Sequence, residues 1–188
     1  LLCVGYDHHF GKPRTDEGFE QYAEYGRALG MELFMASPFF MDDIAVSSSK
    51  VRRALSAGDI SLAKMLLGYD YSFSGSVTHG AGIGRSLGFP TANILLHDDM
   101  KRLPADRVYA VRVFFDGKEH KGIMNIGVKP TIGENLARTV EVHVLDFSGD
   151  LYGKNVVVSL LCRVRGEMTF ENVDALRCQI SHDVHFVR

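Results

Sequence analysis

The chain is expected to fold as an α/β segment followed by a mainly antiparallel β-barrel with a C-terminal helix, and three observations predict it. Over residues 1–68 short apolar runs alternate with helix-spaced segments, the βαβ rhythm of a parallel sheet. From Phe73 onward strand patterns follow one another through turns with no helical pattern between them, which argues for a barrel. Near the end Val173, Leu176 and Ile180 recur at helical spacing and predict a closing helix.

In order, Leu1 to Val4 is a continuous apolar run, expected of a strand covered on both faces, and it ends in the glycine-bracketed loop Gly5 to Gly11. Tyr22, Ala23, Gly26 and Leu29 follow helical spacing, with Gly30 as the stop, and Glu32 to Ala36 reads as a second strand. Ser47, Ser48 and Ser49 supply an N-cap for a helix through Val51, Ala54 and Leu55. Asp59 caps another, through Leu62, Ala63, Leu66 and Leu67, which Gly68 ends. Strands are expected over 73–77, 108–115, 120–126, 139–145 and 156–164, and Asp116-Gly117 marks a tight hairpin. The regime changes near residues 68–72, so the expected domains are 1–68 and 69–188.

A chain of 188 residues, 46% hydrophobic and with a formal net charge of −2, has no basic stripe to capture nucleic acid. No apolar run approaches the roughly 20 residues that cross a bilayer. Cys3, Cys162 and Cys178 are far apart and lack C-x-x-C spacing, which indicates neither a disulfide framework nor zinc, and a cytoplasmic setting is expected. Leu1 opens in mid-strand, so residues preceding it are expected to be missing.

Residues 79–93, His-Gly-Ala-Gly-Ile-Gly-Arg-Ser-Leu-Gly-Phe-Pro-Thr-Ala-Asn, carry the strongest chemical signal. Glycines let backbone N–H groups approach phosphate oxygens. Pro90 biases Phe89 toward extended backbone, where Thr91 and Asn93 project from one face. Two neutral oxygen donors beside such a loop suit a hard cation carried by a nucleotide. The run is neither a Walker A loop, since His79 stands at its first glycine and Arg85 at its lysine, nor a Rossmann fingerprint. On these residues alone a structural glycine hairpin and a phosphate loop both stand.

Joined to Phe89-Pro90-Thr91-Ala92-Asn93, the run G-R-x-L-G-F-P-T-A-N resembles the signature of riboflavin kinases, including the kinase half of bacterial bifunctional riboflavin kinase/FAD synthetases. Further matches are Val108 to Val111, Asn125-Ile126-Gly127 with Lys129-Pro130-Thr131, Val140 to His143, Leu145-Asp146-Phe147, Gly149 to Gly153, and the Arg165, Glu167, Phe170 cluster. The resemblance implies ATP- and Mg²⁺-dependent phosphorylation of riboflavin to FMN, with small molecules as its partners. It implies Thr91 and Asn93 as holders of the Mg²⁺·nucleotide, and Gly82, Gly84, Arg85 and Asn125 near its phosphates. Glu141 matches the family's catalytic carboxylate, and Arg165, Glu167 and Phe170 fall where the flavin binds.

Bland readings stand beside these. Glu141 and His143 alternate with Val140, Val142 and Val144, as a solvent-facing pair would. Arg165 with Glu167 reads equally as a surface ion pair, Phe170 as core, Arg85 as a solvated side chain and Asn125 as a turn residue.

The N-terminal part resembles the FAD synthetase half through Gly5-x-Asp7-x-x-Phe10-Gly11 and Val46-Ser47-Ser48-Ser49-x-x-Arg52. That implies an adenylyltransferase remnant at Asp7, Phe10, Ser47, Ser48 and Arg52, and FMN adenylylation to FAD by a complete protein. The family's H-x-G-H motif is not in the chain, so this half lacks support as an active enzyme. The alternatives are a non-catalytic flavin- or nucleotide-binding barrel and a barrel for single-stranded nucleic acid, the latter opposed by the charge balance.

Overall fold

The computed structural model describes residues 1–5, 18–80, 82–130 and 136–188, and its contacts form two compact units, Leu1–Ser47 and Ser48–Arg188. Asp7, Phe10 and Thr131 lie outside the described residues.

In the first unit β1 (Leu2–Gly5) and β2 (Leu33–Ala36) pair in parallel, with α1 (Phe19–Ala28) between them in the chain. The helix lies close on β2 because Gly26 has no side chain; a Cβ there would stand 2.1 Å from Leu33 Cδ1. Among the described residues the expected burial of both strand faces is not found. Val4 is buried, but Cys3 and its partner Phe34, on the face away from Leu33, are exposed. A small hairpin of β3 (Phe40–Met41) and β4 (Ile44–Ala45) turns through Asp42 and Asp43, both at positive φ.

The second unit opens with α2 (Ser48–Ala57) and α3 (Ile60–Leu67). Asp59 caps α3 by accepting the Leu62 N–H at 3.0 Å, and Gly68 ends it at φ 80°. Ala54, Leu55, Ile60 and Ala63 share one core with the barrel.

The barrel strands are β5 (Ser72–Thr78), β6 (Ala92–Leu96), β7 (Val108–Phe115), β8 (Lys118–Pro130), β9 (Leu136–Val144) and β10 (Asn155–Arg165). They close in the order β10-β5-β6-β9-β8-β7, each neighbouring pair antiparallel. The extended segment expected at Thr91–Asn93 enters β6 at Ala92, and that strand inserts between β5 and β9; the short α4 (Ile83–Ser86) precedes it. Asp116 and Gly117, both at positive φ, make the expected hairpin.

Alternation then sorts the side chains. Ala92, Val142, Met124 and Tyr109 are successive register partners that face inward, the last three almost fully buried. The adjacent positions Asn93, Glu141, Asn125 and Val108 are also successive partners, and face outward. On β10 the register slips at Leu160/Cys162 and again at Arg163/Arg165, bulges that bring Arg165 opposite Val108.

α5 (Val173–Val187) lies against this outer face. Its Val184 and Val187 form a second apolar layer with Val108, Ala110, Ile123 and Leu145. Asn172 caps its start by accepting the Ala175 N–H at 2.8 Å. Lys121 Nζ donates to the carbonyls of Val187 at 3.2 Å and Arg188 at 2.6 Å, offsetting the negative end of the helix.

Candidate active site

Register places Thr78, Asn93, Glu141, Asn125, Val108 and Arg165 in one row across the outer face, one residue from each barrel strand. A cleft of about 900 Å³ opens over Glu141, Asn125, Val108 and Arg165 of this row, roofed by residues 167–170 and by Leu176 and Ile180 of α5. Glu141, Asn125, His143, Thr91, Arg165 and Glu167 supply its polar wall; Phe89, Val108, Ile123, Phe170, Leu176 and Ile180 supply much of the apolar one. Its volume and lining suit a planar, largely apolar ligand with polar groups along its rim. Glu141 is therefore neither an edge residue nor openly solvent-facing, and Asn125 sits in mid-strand between Val108 and Glu141 rather than in a turn.

The glycine loop folds directly over the Thr91–Asn93 pair. A Cβ on Gly80 would fall 1.9 Å from Asn93 Nδ2, and one on Gly84 would fall 3.1 Å from Thr91 Oγ1 and 2.4 Å from the Phe89 carbonyl oxygen. Gly84 is sterically required by the backbone carbonyl that it meets, whereas a side chain at Gly80 would displace the Asn93 amide. Gly82 is required for its conformation instead, at φ 71° with open space around it.

A second cleft, about 460 Å³, lies at the barrel mouth between this loop and residues 147–152. Arg85, Pro90, Thr91, Gly149, Asp150 and Tyr152 line it together with the interior side chains Val77, Val142 and Val144. Tyr152 stacks on His79 with ring centroids 3.8 Å apart. Thr91 belongs to both clefts. Asn93 lines neither, its amide being covered by the bare face of Gly80.

Arg165 is not paired with Glu167 in a surface bridge. Its Nε donates to both carboxylate oxygens of Asp183, at 3.2 and 2.9 Å, and Nη1 donates to the Gly166 carbonyl at 3.1 Å. Asp183 is only 3% exposed and also accepts from Gln179 Nε2 at 2.9 Å. The guanidinium lies 5.8 Å from the centre of the Phe170 ring, so that ring and cation share the cleft wall. Glu167 reaches over Gly127, whose added Cβ would meet Glu167 Oε1 at 3.0 Å. Sequence reading missed Asp183, since an aspartate on an amphipathic helix reads as a solvated position; its burial follows from the bulge that turns Arg165 toward it.

Among the described residues no group of three His, Cys, Asp or Glu side chains could hold a metal alone. The hydroxyl of Thr91 and the amide oxygen of Asn93 are hard neutral donors, which fits Mg²⁺ arriving already bound to phosphates. Of the other predicted positions, Ser48 starts α2, Arg52 is exposed on it, and Ser47 is half-buried at the end of the first unit.

A family model described as Flavokinase, riboflavin kinase, matches residues 67–188. Over the whole chain the sequence is 40% identical to a bifunctional riboflavin kinase/FMN adenylyltransferase of Pseudomonas fluorescens, of which it spans 59%. It is 38% identical over 184 residues to the protein of that description in Escherichia coli K12, covering 97% of this chain and 58% of that one. A crystal structure titled macrolide-efflux protein from Streptococcus pneumoniae superposes with a TM-score of 0.83 at 32% identity, covering 98% of this chain and 58% of that one. The chain thus spans less than two thirds of the relatives that it matches.

Proposed function

The chain belongs to the riboflavin kinase family, and from that premise we propose that its barrel transfers the γ-phosphoryl group of ATP to the 5′-hydroxyl of riboflavin, giving FMN and ADP. The observation that carries this reading is the meeting of two clefts at Thr91, beside the register pair Asn93 and Glu141. The larger cleft takes the isoalloxazine, with Phe170 and Ile180 against its faces and Arg165 and Glu167 at its polar edge. The smaller takes the nucleotide, its phosphates directed to Thr91 and Arg85, while Gly84 lines the larger cleft beside them.

Bound Mg²⁺, held by Thr91 and Asn93, would neutralise charge on the transferring phosphates. Glu141 orients the 5′-hydroxyl and accepts its proton as the oxygen bonds to the γ-phosphorus and the bond to the ADP oxygen breaks. Such assistance is typically worth roughly 10²–10⁴-fold in rate. Asn125, next to Glu141 in the row, is suited to hold a neighbouring ribityl hydroxyl. The chemistry needs little more, because phosphoryl transfer depends mainly on positioning and charge stabilisation.

For a complete protein we propose FMN adenylylation as well, with residues 1–68 as the remainder of the nucleotidylyltransferase domain and 69–188 as the kinase domain. The description of the relatives as bifunctional supports this. A cytoplasmic location, where ATP is supplied, belongs to the same proposal. The test is to incubate the chain with riboflavin, ATP and Mg²⁺ and separate the flavins by chromatography. FMN is expected; binding of both ligands without FMN would identify a non-catalytic binding barrel instead.

A further inference from the structure

We infer that His143 is a positioning residue for the nucleotide: its imidazole holds the Pro90 carbonyl and so fixes the peptide that carries Thr91. The consequence for turnover rests on the kinase reading above, whereas the premise rests on geometry alone. His143 stands two residues from Glu141 on β9, on the same outward face and in the wall of the same cleft. Its Nδ1 lies 2.8 Å from the Pro90 oxygen. A carbonyl has no proton to give, so Nδ1 carries the hydrogen and donates it.

The neighbouring contacts point the same way. The His143 ring meets Phe89 edge to face, with centroids 5.6 Å apart. From the other side the Phe89 N–H donates to the Gly84 carbonyl at 2.8 Å. The Phe89–Pro90–Thr91 segment is thereby gripped between the glycine loop and β9. Pro90 has no N–H, so its carbonyl is the one main-chain polar group by which that residue can be held. That carbonyl and the Thr91 N–H lie in a single rigid peptide plane. Turning the plane would swing Thr91, the residue common to both clefts, away from the phosphates. His143 touches no reacting atom in this account.

The experiment compares His143→Asn, His143→Gln and His143→Ala with the wild type, after circular dichroism confirms that each folds. Asparagine places an amide N–H near the Nδ1 position; glutamine extends beyond it, and alanine has no donor. Equilibrium binding of Mg·ADP and of riboflavin is measured, then steady-state FMN formation. Loss of this one hydrogen bond predicts about tenfold weaker Mg·ADP binding and a similarly raised KM for Mg·ATP in the Ala and Gln variants. Asn should restore nucleotide affinity to within about twofold of the wild type, and the loss of Mg·ADP affinity in the Ala and Gln variants should exceed any loss of riboflavin affinity. Equal losses in all three variants would assign His143 to ring packing and overturn the inference, as would unchanged nucleotide binding in the alanine variant. A wild type that binds Mg·ADP yet makes no FMN would remove the kinase reading and leave the binding comparison decisive for His143. A wild type that binds no Mg·ADP would overturn both.

Discussion

Asn93 and Glu141 are register partners on β6 and β9, side by side on the outer face of the barrel. Adjacent strands lie roughly 4.8 Å apart, so an amide suited to a nucleotide's metal stands one strand away from a carboxylate suited to an alcohol. Backbone hydrogen bonds between the two strands hold that spacing, and on the proposed kinase reading this rigidity favours in-line transfer.

Removing either neutral oxygen donor should weaken the metal–nucleotide. Thr91→Ala and Asn93→Ala are each expected to lower kcat/KM for Mg·ATP about 10–100-fold and to raise the Mg²⁺ concentration needed for half-maximal activity. Riboflavin binding, followed by quenching of flavin fluorescence, should not change in the Asn93 variant, whose side chain lines neither cleft. Unaltered Mg²⁺ dependence in both variants would remove the pair from the site.

The glycine loop offers a paired test of sterics against conformation. Gly80→Ala drives a methyl into the Asn93 amide, a flexible side chain, so the fold should survive while the KM for ATP rises about tenfold. Gly82→Ala meets no neighbour but forces a left-handed φ on a side chain, which should cost about 1 kcal/mol of stability. Thermal unfolding and ATP kinetics on the two variants separate the roles.

Arg165 and Asp183 form a buried pair, 17% and 4% exposed at their side chains, in the wall of the larger cleft. Asp183→Asn leaves the guanidinium without its counter-charge and should cost about 3–5 kcal/mol in urea unfolding. The double replacement Arg165→Met with Asp183→Leu should recover most of that stability, because apolar groups of similar volume often replace such pairs at little cost. It should still bind riboflavin more weakly than wild type. Full affinity in the double variant would show that the pair serves packing alone.

Tyr109 gives the fold an alkaline limit. Its hydroxyl donates to the Ala105 carbonyl at 2.7 Å inside the barrel, and burial pushes its pKa from 10.0 up to about 12. The folded state therefore keeps a proton that the unfolded state gives up. Stability from this group is fully present below pH 10 and declines as pH rises from 10 toward 12. Tyr109→Phe should lower Tm at pH 8, through loss of a hydrogen bond worth about 1 kcal/mol, and should flatten the fall in Tm at alkaline pH. An equally steep fall in the variant would locate the alkaline limit elsewhere.

Much of this arrangement is legible in the sequence. Alternation over Val140–Val144 assigned Glu141 and His143 to the face opposite the valines, and Asp59, Gly68 and Asp116-Gly117 marked a cap, a stop and a hairpin by local chemistry. What stayed hidden was nonlocal. The insertion of β6 between β5 and β9 sets Asn93 against Glu141, and no local pattern encodes strand order. The bulges on β10 move Arg165 into the row, and only pairing with β7 makes them visible. Asp183 is buried by a partner 18 residues away, so its helical context says nothing of its environment. The apolar run at Leu1–Val4 suggested a strand covered on both sides, yet the described residues cover only the face shared with Leu33.

The most direct test of the central claim is single-turnover FMN formation by Glu141→Gln with saturating riboflavin and Mg·ATP. Glutamine keeps the size and hydrogen-bonding reach of the side chain but is no base. Affinity for both ligands should therefore hold within about twofold while the transfer rate falls roughly 10²–10⁴-fold. A variant that binds both ligands and forms FMN at the wild-type rate would contradict the assignment of Glu141 as the group that activates the alcohol.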